Sequence, residues 1–115
     1  MTPRQMLDEA QRMLRDPNHA TDTAWARSAA FLAREALEQK VRQVLIREWG
    51  LAGYPSFRSQ LLASRAFLEE DLARQAAWTW TALSQATHHH AYELPPTAAE
   101  LMGWLATVEG VVGDV

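Results

Sequence analysis

Three consecutive histidines, His88-His89-His90, followed by Ala91-Tyr92, are the residues of this chain with the most chemistry to offer. An imidazole titrates near neutrality, so it can take a proton and return it within one reaction cycle. A metal site is not expected from the triplet. Neighbouring residues on a helix point about 100° apart and do not converge on one ion, whereas ligand pairs are usually three or four apart. His19 is the one other imidazole, and the chain has no cysteine to add a thiolate or a nucleophile. Two readings stay open. The triplet is an acid/base centre at a helix end, where side chains can converge. Alternatively His90, in phase with Leu72, Ala76 and Leu83, is a hydrogen-bonded core histidine. On residue type alone the structural reading leads.

The histidines close a row that needs explaining. Arg74, Trp78, Thr81, Gln85 and His88/His89 recur at three and four, one face of a helix. Trp78 is out of place in a row that is otherwise polar. Phe31 is out of place in the same way, on the polar side of an earlier helix. Trp and Arg are enriched where proteins meet, so Trp78, Arg74, Thr81 and Phe31 are expected at a homodimer interface. The alternative is surface aromatics scattered singly, which is common.

The elements that position these residues are punctuated clearly. Thr2-Pro3-Arg4-Gln5 is a capping-box start with Pro at the first helical position. Met6, Leu7, Ala10, Met13 and Leu14 make its apolar face, and Asp16-Pro17-Asn18 ends it. Thr21 or Asp22 opens the longest helix, which runs to Trp49 with Gly50 as its stop. One side carries Ala26, Ala29, Ala30, Ala33, Ala36, Leu37, Val41 and Val44, mostly small residues that let a neighbour approach closely. Arg27, Arg34, Glu35, Glu38 and Arg42 lie opposite.

Leu51 to Pro55 reads as a loop, and Ser56 caps a short helix from Phe57 to about Ser64. The next helix starts near Glu69, where Glu69-Glu70-Asp71 sets negative charge at the positive end of the helix dipole. It continues to about His88, with Leu68, Leu72, Ala76, Thr79, Leu83 and Ala86 as its core stripe. Pro95-Pro96 breaks the chain before a second capping box, Thr97 to Glu100. Leu101, Leu105 and Val108 are the stripe of the last helix, with Gly110 beyond it. The fold expected is all-α, a four- to five-helix up-down bundle with short loops.

Composition narrows the function. At 115 residues the chain suits a single domain, 1–115, with one compact core. The longest apolar run is the five residues from Ala29 to Ala33. A membrane span needs about 20 and a signal-peptide core about 7–15, so a cytoplasmic protein without a membrane anchor is expected. The formal charge is −3, from 11 basic and 14 acidic side chains. That balance argues against a protein held to DNA by general phosphate neutralisation. From Ala91 onward there are Glu93, Glu100, Glu109 and Asp114 but no Lys or Arg. Such an acidic end repels RNA locally and suits a basic partner.

The stretch Ala82-Leu83-Ser84-Gln85-Ala86-Thr87-His88-His89-His90-Ala91-Tyr92 resembles the signature of the HEPN superfamily, helical domains whose ribonuclease members carry Arg, four to six residues, then His. The toxins of HEPN–nucleotidyltransferase pairs extend this to Arg-x4-His-x-Tyr. His90 takes the His position, Tyr92 the Tyr position, and Gln85 stands where the motif has Arg. The segment from Trp25 to Glu38 is similar to the long Ala-rich helix that opens many such domains. The resemblance covers roughly Thr21 to Glu109.

This resemblance implies a dimer in which Arg and His of two protomers meet and cleave RNA without metal or cofactor, the 2′-hydroxyl acting as nucleophile. His90 would move the proton, with His88 and His89 as spare imidazoles. The Arg would hold the phosphate, and Gln85 brings no charge to that task. Arg74 lies roughly 16 Å back along the helix, too far to replace it within one chain; an arginine from a partner chain, such as Arg27 or Arg34, is a conceivable substitute that the sequence itself does not show. The resemblance also makes Tyr92 a candidate for modification with AMP by a partner nucleotidyltransferase. Otherwise Tyr92 is a ring covering the end of the bundle.

The expected function is a dimeric HEPN-like module with weakened catalysis, RNA-associated or regulatory, acting with a partner protein in a toxin–antitoxin or defence-type system. One alternative is an active metal-independent endoribonuclease that uses His90. The other is an unrelated helical adaptor with a structural histidine cluster.

Overall fold

The computed structural model describes residues 1–16, 18, 24–50, 56–88 and 94–113, together with the backbone of 114. Among them all regular structure is helical, and five helices pack as an all-α bundle. They are α1 (Pro3–Arg15), α2 (Trp25–Trp49), α3 (Phe57–Ser64), α4 (Glu70–Thr87) and α5 (Ala98–Asp114).

Local chemistry sets most of the ends. At α1 the Gln5 amide donates to Thr2 Oγ1 at 3.1 Å, and the Thr2 amide donates to Gln5 Oε1 at 2.9 Å. This closes the expected capping box and satisfies two amides that a helix start leaves without partners. Thr97 and Glu100 repeat the arrangement at α5. Ser56 Oγ accepts the Ser59 amide at α3, and the Glu69 carboxylate accepts the amides of Asp71 and Leu72 at α4. Gly50 ends α2 at φ 66°, its N–H donating to Ile46 O at 2.8 Å. A side chain at that left-handed position would be strained.

One boundary lies outside the described residues and one differs from expectation. The opening foreseen at Thr21 or Asp22 lies outside the described residues, and α2 is described from Trp25, after Ala24. Gly110 does not end α5, which runs on to Asp114 with Val111 and Val112 buried. The reason is tertiary. A Cβ on Gly110 would stand 3.0 Å from Leu72 Cδ1, so this glycine lets α4 approach rather than stopping the helix.

The long helix α2 lies at the centre and touches the other four. Ala26, Ala29, Ala30, Ala33, Ala36 and Leu37 are buried along it. Short side chains bring the partner backbones close, and Leu7, Leu45, Leu83, Leu101 and Val108 fill the space between. On α4 the core stripe holds as read, with Leu72 and Ala86 at its half-buried margins and Ala73 added to it. Among the described residues no helix is long and apolar enough to cross a membrane.

Candidate functional site

The last turn of α4 leaves backbone carbonyls without helical partners, as every helix end does. Here α2 supplies donors. Arg27 Nη1 donates to Ala86 O at 3.2 Å and to His88 O at 2.9 Å. Two turns along α2, Arg34 Nη1 donates to Thr87 Oγ1 at 3.1 Å, and that hydroxyl donates to Ser84 O at 2.9 Å. Residues seven apart share a helix face, so the two guanidiniums meet one short stretch of α4. Positive charge at a helix C-terminus is also favoured by the macrodipole.

Arg34 is held on several sides. Its Nε lies 3.6 Å from Glu38 Oε2, and its Nη2 lies 3.9 Å from Glu35. Glu38 in turn accepts the Trp80 indole N–H at 2.9 Å, which ties the middle of α4 to α2. The pair is only a quarter exposed or less, with Arg34 at 24% and Glu38 at 18%. Breaking it would leave a charge with little access to water. The Arg34 guanidinium also stands 5.8 Å from the centre of the Phe31 ring, a cation–π distance.

Beside this end of α4 opens a cleft of about 850 Å³. Trp78 and Gln85 of α4 and His88 just after it line the cleft, with Arg27 of α2 and Glu100 and Trp104 of α5. Gln85 is exposed, and its side chain makes no hydrogen bond among the described residues. Its amide therefore faces the cleft as a donor and acceptor without charge. His88 is exposed at the C-cap of α4, its N–H donating to Gln85 O at 3.3 Å.

The residues expected to act together are thus partly assembled. Gln85, His88 and Trp78 share the cleft. His89, His90 and Tyr92, and the more distant His19, lie outside the described residues. Trp78 is 69% exposed and Phe31 is 48% exposed, so both aromatic outliers stand in solvent in a single chain. The row on α4 is a ridge between two grooves. Trp78 and Arg74 border α5, and Thr81 borders α3. Arg74 pairs with Asp71, one turn earlier on α4, and is not among the residues lining the cleft.

Two arginines change the expected picture. Arg27 and Arg34, conceivable donors from a partner chain, both reach the end of α4 within one chain. The signal for this was their spacing of seven on the polar side of α2. Trp104 and Glu100 also join the cleft, and neither belongs to a site motif in the sequence. Comparison with known proteins finds no family model, no curated protein and no solved structure that matches this chain.

Proposed function

We propose that this chain is a HEPN-like module that works as a homodimer, engages RNA or an RNA-handling partner protein at the α4 cleft, and cleaves RNA poorly or not at all. The observation that carries the reading is the state of the positive charge around Gln85. The motif position that calls for a guanidinium holds a neutral amide, exposed to the cleft. Both nearby guanidiniums are engaged in holding the fold, Arg27 on the carbonyls of α4 and Arg34 on Thr87, Glu35 and Glu38. A missing charged donor to a transferring phosphate costs roughly a hundredfold or more in rate. The imidazoles of His88 to His90 would then serve binding more than proton transfer.

The exposed Trp78 and Phe31 support the second copy, since a dimer would cover both rings. A basic partner protein, such as a nucleotidyltransferase in a toxin–antitoxin or defence-type system, suits the acidic balance of the chain from residue 91 onward.

The test is an RNA cleavage assay in chelator with wild type, Gln85→Arg and His90→Ala. Wild type is expected to leave RNA intact, and Gln85→Arg to gain cleavage on the order of a hundredfold over it. Cleavage by wild type that His90→Ala abolishes would overturn this reading in favour of an active ribonuclease.

A further inference from the structure

Away from the cleft, α3 turns a different pair of arginines outward. Arg58, Leu62 and Arg65 are spaced four and three apart, so they form one stripe on the solvent side of this helix. Leu62 is 58% exposed. Among the described residues the guanidiniums of Arg58 and Arg65 make no ion pair and no hydrogen bond. Both border a hollow of about 210 Å³ between α3 and α4, where Leu61, Ala73, Ala77 and the Trp80 ring supply apolar surface. Trp80 is fixed there by its bond to Glu38 and by the Phe57 ring at 5.3 Å, so the hollow keeps its shape without an occupant.

The dimensions select the kind of ligand. Sites for small molecules run to about 300–1,000 Å³. This hollow is smaller and suits a single anchoring side chain. A second hollow of about 310 Å³ shares Arg65 and Ala73 with it, which continues the groove along the two helices. An elongated groove with one apolar anchor point and a guanidinium on either side is the setting for a helix laid in a groove.

Charge selects the partner. Arg58 and Arg65 are the charged side chains that line the hollow, and no carboxylate lines it among the described residues. Glu70 lines the second hollow with Arg65 and Arg74, so negative charge on the partner is placed beside Arg58 and Arg65, and a continuous run of phosphates past them is disfavoured. We infer that the α3–α4 groove docks an acidic amphipathic helix of a partner protein. One large apolar side chain fills the hollow, and carboxylates about two turns apart pair with Arg58 and Arg65. The two arginines are roughly 10 Å apart along α3, which matches acidic residues at i and i+7 around an anchor at i+3 or i+4. Arg–carboxylate pairs can form two parallel hydrogen bonds, so they would fix the register of the bound helix. This surface is independent of the cleft and of any chemistry there.

The experiment is selection of a random peptide library displayed on phage against the whole chain. Anisotropy of the selected peptides, synthesised with a fluorescent label, then follows with wild type, Arg58→Glu/Arg65→Glu and Leu62→Asp. The selected peptides are expected to carry paired acidic residues around a large apolar one, and both variants to weaken them at least about tenfold. Circular dichroism should match wild type, because these side chains face solvent; Arg58→Gln/Arg65→Gln replaces the double reversal if it does not. The inference is overturned if selection yields no binder, if the peptides lack the acidic pair, or if the variants bind them unchanged. Loss of binding to a single-stranded RNA in the double variant would assign the groove to nucleic acid instead. A fall in the light-scattering mass of that variant would assign it to a second copy of the chain.

Discussion

Two pairs of arginines, each seven residues apart, approach α4 from two different helices and are put to opposite uses. Arg27 and Arg34 on α2 are spent on the fold, binding the carbonyls, a hydroxyl and the carboxylates around the end of α4. Arg58 and Arg65 on α3 border an apolar hollow and bind nothing among the described residues. The difference follows from what each helix packs against. On α2, Arg27 stands beside the last turn of α4, whose open backbone carbonyls its guanidinium reaches. The eight-residue α3 covers α4 less fully and leaves its arginines at the edge of a groove. The spacing of a charged pair says that two groups share a face, and the neighbouring surface decides whether they support the fold or recognise a partner.

Stability measurements can break this comparison directly. Arg27→Ala removes a charged donor from two carbonyls at the end of α4 and should cost about 1–3 kcal/mol in denaturant unfolding. Arg65→Ala, on the other side, should stay within about 0.5 kcal/mol of wild type. Equal costs at the two sites would remove the distinction between a committed and an available pair.

An intermediate case sharpens it. Arg4 on α1 binds Glu109 on α5 through two bonds, at 2.5 and 3.0 Å, while both side chains remain nearly half exposed. The bond from Arg4 holds the Glu109 carboxyl below its ordinary value of 4.5. The unfolded chain therefore takes up this proton more readily as pH falls. The stabilisation is complete above about pH 4.5 and is lost as pH drops through the lowered folded value. Water screens so exposed a pair, and its worth is at most about 1 kcal/mol. Arg4→Met should lower stability by that amount at neutral pH and flatten the acid limb of a stability–pH curve. An acid limb unchanged in the variant would show that the pair does not contribute.

The legible parts of the sequence were those fixed by local chemistry. The hydroxyl caps at Thr2, Ser56 and Thr97 and the stop at Gly50 depend on residues within one turn, and they were readable without the fold. Gly110 was misread because its meaning lies in Leu72, on another helix. The row from Arg74 to His88 was visible as a periodicity, but its division into one side facing α5 and another facing α3 needed both neighbours in place. The reach of Arg27 to Ala86 and His88 was hidden for the same reason. Sequence spacing marks a face and leaves its distance from the next helix undetermined.

The functional reading rests on two copies meeting over the exposed rings of Trp78 on α4 and Phe31 on α2. Light scattering of wild type and Trp78→Glu at matched concentrations tests it most directly. The account predicts a wild-type mass near 26 kDa, twice the 13.0 kDa of one chain, and a monomer for the variant. A wild-type mass of a single chain, or a dimer that Trp78→Glu leaves intact, would contradict it.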